Sequence, residues 1–410
     1  MQETVKIRDL NHSGEGVGLL GKKVCFIPGL LPGEEALIEV TENKKNYARG
    51  RVKEILHFSE HRREAPCAYQ GDCGGCPLMP LEYKEQFLWK KSFSERTMKK
   101  IAGLDISYDD LIEADKRLYY RNKLTLFMDQ GRVGLKRQAS SQVIPIKECM
   151  VADKAFASFL PILEGRKGFF SLVLRKADEG VMVILQGEKL EKDERFYDEL
   201  EKAGAESIYF CKQKKEARSL SGDLHRLRGE KTLPYHVMGR EFSLTPRSFF
   251  QIHKDQARKL YELVKDYADL KKEDRVLDLY SGQGTLGAYL SPEAGEVLGV
   301  ELIEEAVYYG SQRIPSTMKL LQGRVEDMEL AQVDLVILDP PRGGLEEGLI
   351  KKLLAMKPER IIYVSCNPVT QARDLKKLLS SYKITRAGLL DLFPHTTHVE
   401  SIILLQKNKA

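Results

Sequence analysis

Residues 275–285 read RVLDLYSGQGT, and this stretch determines the fold of the second half of the chain. An apolar strand runs into Gly282 and Gly284, after which a helix is predicted. Glycine lets the backbone approach a ligand closely, and a helix N-terminus offers free N–H groups. The same alternation of apolar strands and amphipathic helices continues to the end of the chain, which predicts a doubly wound α/β domain with a parallel sheet covered on both faces.

The rest of the chain differs from this α/β pattern. Residues 1–56 carry short alternating strands broken by Gly and Pro, which predicts a compact antiparallel β-barrel. Residues 57–245 begin with a polar linker and contain a helix with a cationic side at 82–101, then strand-like pieces and a helix at 189–204, which predicts a mixed α+β domain. We therefore predict three domains, 1–56, 57–245 and 246–410.

The composition narrows the class of protein. A chain of 410 residues needs two or three domains at the usual size, and 42% hydrophobic residues exclude a disordered protein. No apolar run reaches the length of about 18–20 residues that spans a bilayer, and charges interrupt the first thirty residues, unlike a signal peptide. We therefore expect a cytoplasmic protein with no membrane contact, and no obligate protein partner is evident.

The charge is unevenly distributed although the net charge is only +5. Residues 116–137 hold seven basic residues and one acidic residue, whereas residues 301–350 hold four basic and ten acidic residues. This asymmetry favours a front half that binds a polyanion such as RNA. Solvated faces that merely differ in charge would give the same counts.

The glycine turn also matches a nucleotide-binding pattern. Gly282-x-Gly284-x-x-Gly287 has the dinucleotide spacing, and Glu301 ends the next strand, where a carboxylate can bind ribose hydroxyls. The pattern does not separate a nicotinamide cofactor from S-adenosylmethionine. A tight turn without a ligand would also explain it.

Three further motifs follow predicted strands. Asp339-Pro-Pro-Arg342 closes one strand and leaves Asp339 at the carboxyl edge of the sheet, where such sheets bind ligands. Cys366 precedes a predicted helix whose dipole would favour its thiolate, as a nucleophile requires, unless it is a buried structural thiol. Glu400, in the motif HTTHVE, could act as a general base in the same pocket, although its two histidines and Glu400 could instead bind a metal.

The seven cysteines form an odd number, which argues against a disulfide framework. Cys67, Cys73 and Cys76 are closely spaced with glycines between them, and Cys149 could add a fourth ligand. This pattern predicts a metal centre, and spacing alone does not separate zinc from an iron–sulfur cluster. Cys25 and Cys211 are expected in the core.

Taken together, these motifs resemble the RNA uridine C5-methyltransferases, of the type that modifies 23S ribosomal RNA and, in relatives, tRNA. The resemblance covers nearly the whole chain. It implies a TRAM (OB-like) RNA-binding barrel, a cluster-bearing central domain and a Rossmann-like, S-adenosylmethionine-dependent methyltransferase domain. It further implies a 4Fe-4S cluster on the four cysteines Cys67, Cys73, Cys76 and Cys149.

The resemblance also implies the site residues. Cys366 matches the family nucleophile, Glu400 its base, and the cofactor contacts carry over to Gln251, Tyr280, Glu301 and Asp339. In that chemistry the thiolate adds to C6 of a flipped-out uridine and C5 takes the methyl group. The chain departs from many relatives at His253, Ser281 and Thr285, where those have Asn, Cys and Asn.

Two other functions fit parts of the pattern. A nicotinamide-dependent oxidoreductase with a structural zinc would use the glycine turn and Glu301. An RNA-binding protein with a decayed catalytic site would account for the three departures. Ribosomal RNA is the expected substrate and tRNA the alternative.

Overall fold

A computed structural model describes residues 2–138, 140–190, 192–217, 220–329 and 332–409. The chain divides into two compact units. The first unit comprises residues 1–90, 133–146 and 393–397, and the second comprises 91–132, 147–392 and 398–410. The three predicted domain boundaries stay predictions.

The strands and helices have the following bounds. The strands are β1 (Gln2–Lys6), β2 (Asp9–Leu10), β3 (Gly16–Leu20), β4 (Lys23–Ile27), β5 (Glu35–Asn43), β6 (Tyr47–His57), β7 (Asp110–Ile112), β8 (Lys123–Asp129), β9 (Arg132–Lys136), β10 (Val143–Pro145), β11 (Ser171–Lys176), β12 (Val181–Gly187), β13 (Ala205–Lys212), β14 (Asp223–Gly229), β15 (Leu233–Val237), β16 (Arg240–Leu244), β17 (Arg275–Leu279), β18 (Glu296–Glu301), β19 (Met318–Gln322), β20 (Leu335–Leu338), β21 (Arg360–Ser365), β22 (Tyr382–Leu390) and β23 (Glu400–Lys407). The helices are α1 (Tyr83–Ala102), α2 (Leu160–Leu163), α3 (Glu194–Lys202), α4 (Lys254–Ala268), α5 (Thr285–Leu290), α6 (Glu304–Ser311), α7 (Glu347–Met356) and α8 (Pro368–Leu378), with a 3-10 helix at Lys154–Phe159.

The first unit contains the predicted N-terminal barrel. Its six strands follow the order β1-β5-β6-β4-β3-β2, and the pairs are antiparallel except for β4 with β6. The N–H of Arg8 donates to the carbonyl of Val17 at 2.9 Å, so the chain after β1 also reaches β3 and the sheet curls. Alternate residues of these strands, such as Ile27 and Ile38, fill a common core, as the alternation predicts.

The first unit also contains the β9–β10 hairpin and the cysteine-rich segment that follows the barrel. Residues 67–80 are turns and isolated bridges without a regular helix or strand. Asp72 holds this segment against Arg137, which follows β9, through an ion pair of 2.5 Å.

The second unit contains a mixed sheet that carries the middle of the chain. Strands β8, β11, β12, β13 and β14 are adjacent in that order, and the only parallel pair among them is β12 with β13, which helix α3 connects. Strands β15 and β16 form a separate hairpin. The predicted mixed α+β character of this region is confirmed.

The second unit also contains the Rossmann-like sheet, with the strand order β19-β18-β17-β20-β21-β23-β22-β7. The first five strands are parallel, as predicted, and their carboxyl ends share one edge. The prediction of an entirely parallel sheet is wrong, because β23 runs antiparallel to β21 and β22. Strands β22 and β7 were not predicted. β22 leads to an antiparallel neighbour without the crossover helix that marked the other strands, and β7 is only three residues long (Asp110–Ile112).

Among the described residues, no helix is both long and apolar enough to cross a membrane.

Candidate active site

The turn after β17 is shaped by a buried carboxyl group. Asp278 ends the strand region and accepts hydrogen bonds from the Ser281 hydroxyl at 2.7 Å and from the Gly287 N–H at 3.2 Å. Burial raises the pKa of Asp278 to about 6. Gly284 has a φ of +79° and precedes α5 directly, a conformation that glycine adopts without strain. The glycine turn and the start of α5 therefore fold around the buried carboxyl group of Asp278 at the edge of the sheet.

Glu301 lies next to this turn, at the end of β18. Its carboxylate accepts from the N–H of Gly282 at 2.9 Å and from the N–H of Ile303 at 2.8 Å. The apolar side chains of Leu302 and Ile303 are 57% and 47% exposed beside it. A fixed carboxylate with exposed apolar side chains next to it suits the ribose and base of a nucleoside cofactor.

Tyr280 lies on the other side of Gly282, in a left-handed conformation with a φ of +62°. Its hydroxyl donates to Glu326 at 3.0 Å, and burial together with that carboxylate raises the pKa of Tyr280. The phenol therefore stays neutral and is held in place by its hydrogen bond to Glu326.

Gln251 and Asp339 meet although 88 residues separate them. The Nε2 of Gln251 donates to Oδ2 of Asp339 at 3.5 Å. Burial and the nearby carboxyl of Asp278 raise the pKa of Asp339. Asp339 therefore connects the glycine turn to the segment that carries Gln251.

Cys366 directly follows β21, and Glu400 begins the neighbouring strand β23. Burial and the Glu400 carboxyl raise the pKa of Cys366 to about 12, while the nearby Arg342 guanidinium acts in the opposite direction. Burial and Asp339 raise the pKa of Glu400 well above its usual range. Burial and the carboxyl groups of Glu400 and Asp339 therefore oppose the thiolate that the position before α8 was predicted to favour.

Two protein-family models and three related proteins match this chain. The tRNA (Uracil-5-)-methyltransferase family matches residues 318–408, and the TRAM domain matches residues 2–53. An uncharacterized RNA methyltransferase of Bacillus cereus is 32% identical over 98% of this chain and 96% of its own length. A 23S rRNA (uracil(1939)-C(5))-methyltransferase of Vibrio campbellii is 32% identical over 99% of this chain and 96% of its own.

The crystal structure of the Pyrococcus abyssi tRNA (uracil-54, C5)-methyltransferase in complex with S-adenosyl-L-homocysteine has a TM-score of 0.79 to this chain and 28% sequence identity. The match covers 99% of this chain and 100% of that one. The chain belongs to the RNA uracil-C5 methyltransferase family. This membership makes it an S-adenosylmethionine-dependent enzyme that acts on RNA, and it excludes both the nicotinamide-dependent oxidoreductase and the RNA-binding protein with a decayed site.

The three departures from the family pattern have structural explanations in this methyltransferase. His253 caps α4 by accepting from the N–H of Gln256, a task that Asn also performs well. Ser281 donates to Asp278, and the Thr285 hydroxyl lies 2.6 Å from that of Tyr261. Each replacement thus makes a local hydrogen bond inside the site.

The four predicted cluster ligands are divided between the two units. Cys67, Cys73 and Cys76 lie in the first unit and Cys149 in the second, and none of them forms a disulfide. The N–H of Gly75 lies 3.4 Å from the sulfur of Cys73. Within the described part of the chain, no group of three or more His, Cys, Asp or Glu side chains is arranged to hold a metal ion. This applies equally to the histidines and Glu400 of the motif HTTHVE.

Sequence reasoning missed two contributors to the site. Arg342 has no predicted role beyond being the last residue of its motif, although its guanidinium acts to lower the pKa of Cys366. Buried Arg175, on β11, donates to the carbonyls of Thr245 and Pro246, just before the segment with Gln251. An arginine inside an otherwise apolar strand was the available signal.

Proposed function

We propose that this chain methylates C5 of a uridine in ribosomal RNA through a covalent bond between Cys366 and C6 of the base. The observation that carries the proposal is the convergence of Cys366, Glu400 and Asp339 at one edge of the sheet. The ribosomal substrate is supported by the Vibrio relative, which matches nearly the whole chain.

C5 of uracil is a weak nucleophile. The reaction therefore needs a side-chain nucleophile that first adds to the base. The Cys366 thiol loses its proton to water, its sulfur adds to C6, and the electrons of the C5–C6 double bond move towards O4, giving an enolate. Bound S-adenosylmethionine would supply an electrophilic methyl group on a sulfonium sulfur. C5 of the enolate takes that methyl group, with S-adenosylhomocysteine as the leaving group. Glu400 then removes the proton from C5, and the sulfur–C6 bond breaks to restore the double bond.

The raised pKa of Glu400 suits this role. A carboxylate that is poorly solvated holds a proton more tightly and is therefore a stronger base once it is ionised. Asp339 lies between the Glu400 carboxyl and the glycine turn that is proposed to bind the cofactor. There it can orient the uracil base or the cofactor. Gln251, Tyr280 and Glu301 are proposed as further cofactor contacts.

The covalent step is tested with Cys366→Ala and Glu400→Gln, using Cys211→Ala as a control thiol outside the site. RNA labelled with tritium at uridine C5 reports methyl transfer by tritium release. Cys366→Ala should abolish release and form no adduct, whereas Glu400→Gln should still add to C6 and accumulate an RNA adduct on a denaturing gel. Tritium release by Cys366→Ala at the wild-type rate would refute the covalent mechanism.

The identity of the RNA is a separate question. The Pyrococcus abyssi structure is of a tRNA methyltransferase, so tRNA is the second candidate. Mapping 5-methyluridine in ribosomal RNA and tRNA from a deletion strain distinguishes them, because the missing modification marks the substrate. Since either RNA is found in the cytoplasm, we propose that the enzyme acts there.

We also propose that Cys67, Cys73, Cys76 and Cys149 hold a structural 4Fe-4S cluster. The spacing of the first three and the absence of disulfides at all four support it. Anaerobically purified protein should then contain iron and acid-labile sulfide, and Cys76→Ala should lose both. Stoichiometric zinc without iron or sulfide would refute the cluster.

A further inference from the structure

Arg342 is the feature of the site that the proposed reaction has not used. It directly follows the two prolines after β20, and its guanidinium is close enough to Cys366 to lower the pKa of the thiol. Burial, Glu400 and Asp339 all disfavour a negative charge on that sulfur, whereas Arg342 favours it. A Cys366 thiolate would therefore lie near two acidic groups, Glu400 and Asp339, and one cation, Arg342.

The backbone of Arg342 is tied to the turn that carries Cys366. Its carbonyl accepts from Nδ2 of Asn367 at 3.0 Å and from the hydroxyl of Thr370 at 3.3 Å. Asn367 is the residue after Cys366 and the cap of α8. The arginine and the cysteine are thus held in one hydrogen-bonded turn, although 24 positions separate them in the sequence.

The side chain of Arg342 has a second partner, His398. Its Nη2 lies 3.1 Å from Nε2 of His398. A guanidinium only donates hydrogen bonds, so Nε2 of His398 is the acceptor and the imidazole is neutral in this pair. His398 belongs to the motif HTTHVE, in which only Glu400 has had a role so far.

We propose that Arg342 is a catalytic residue whose guanidinium is the counter-charge of the Cys366 thiolate, and that His398 is a positioning residue which holds that guanidinium in place. The inference rests on the proposed role of Cys366 as the nucleophile. The S–H proton of Cys366 leaves to water, a sulfur lone pair forms the bond to C6, and Arg342 keeps its own proton. When the sulfur–C6 bond breaks, the sulfur departs as a thiolate beside the same cation.

Because Arg342 is exposed, contact with an RNA phosphate is the competing explanation for a cation here. Alkylation of Cys366 by iodoacetamide separates the two, because the reagent is uncharged and the reaction contains no RNA. The full-length protein is treated from about pH 7 to about pH 10, around the usual pKa of a thiol. Mass spectrometry of the peptide that contains Cys366 measures the alkylation rate of this cysteine separately from those of the other cysteines.

Arg342→Gln should slow this alkylation about tenfold at every pH of the series, since removing an adjacent opposite charge raises the pKa of the thiol by about one unit or more and so lowers the thiolate fraction. Arg342→Lys should recover part of the rate. Arg313→Gln, which removes an exposed arginine paired with Glu241, should match the wild type. Wild-type alkylation of Arg342→Gln across the whole range would overturn the proposal.

The role of His398 is tested with two substitutions, one that keeps a hydrogen-bond acceptor for Arg342 and one that removes it. His398→Gln keeps an oxygen that can accept from Arg342 and should alkylate near the wild-type rate, whereas His398→Ala should approach Arg342→Gln. Equal, wild-type rates for both would remove His398 from the proposal. The alkylation assay and the methyl-transfer assay can fail separately. A Cys366 that is not catalytic could still be paired with Arg342, and its alkylation rate would then still respond to Arg342→Gln.

Discussion

The ring of His253 stacks on the ring of Tyr120, with 4.6 Å between their centroids and 19° between their planes. Its Nε2 donates to the carbonyl of Lys116 at 2.8 Å, which leaves Nδ1 to accept from the N–H of Gln256 and cap α4. Because Nδ1 accepts while Nε2 donates, the ring is neutral, and burial lowers the pKa of His253 in the same sense. One imidazole therefore joins the start of α4 to residues far earlier in the chain.

His253→Asn should keep the helix cap but lose the stacking and the bond to Lys116, and so lower the free energy of unfolding by about 1–2 kcal/mol. His253→Ala also loses the cap and should cost about 1 kcal/mol more. Urea unfolding followed by circular dichroism measures both. Equal losses in the two variants would show that the cap contributes nothing.

Arg175 is expected to determine the position of the segment that leads to Gln251. It is 3% exposed, and its Nη1 donates to the carbonyls of Thr245 and Pro246 and to the hydroxyl of Ser248. Arg175→Met removes these three hydrogen bonds, which should cost about 3 kcal/mol of unfolding free energy. Binding of S-adenosylhomocysteine, followed by calorimetry, should weaken in parallel, and Arg175→Lys should lose less of both. Unchanged affinity in folded Arg175→Met would contradict the link to the cofactor segment.

Asp278 predicts a pH dependence of stability. Its pKa is about 6 in the folded state because of burial, above the 3.8 of an unperturbed Asp, so ionisation costs more in the folded chain than in the unfolded one. Its contribution to stability is therefore lost as the pH rises from about 4 through about 6, by up to about 3 kcal/mol. Asp278→Asn has no proton to lose, so its unfolding free energy should lack that fall. Parallel pH profiles for the two proteins would contradict the assignment.

The N-terminal barrel offers a separate measurement. The buried carboxylate of Glu34 is bound by Arg62 through two hydrogen bonds, of 2.5 and 2.8 Å. Arg62→Met leaves this charge buried without its cation and should cost the first unit about 3–5 kcal/mol. Trp89, the single tryptophan of the chain, lies in that unit, so its fluorescence during urea unfolding reports the loss.

The double variant Glu34→Gln, Arg62→Met is the control for this prediction. It removes the charge as well as its partner and should recover much of the lost stability. If the double variant were as unstable as Arg62→Met, the packing of the arginine stem rather than the buried charge would be responsible.

Local sequence was sufficient for much of this protein. Apolar strands that end in glycine, proline or cysteine identified β17, β20 and β21, because the 3.6- and 2-residue periodicities and the turn residues are properties of neighbouring positions. The alternation in residues 1–56 identified the barrel for the same reason. The motif residues Asp339, Cys366 and Glu400 were found because each adjoins a strand end.

The tertiary structure decided what those residues do to one another. The thiol of Cys366 has a raised rather than a lowered pKa, because folding buries it beside Glu400 and Asp339, and neither is near it in sequence. The partners of Arg342, the antiparallel direction of β23 and the role of Arg175 likewise depend on segments that meet only in the fold. Sequence determined which chemical groups are present at the sheet edge, whereas charge and solvent access there depend on through-space distances that only the folded chain sets.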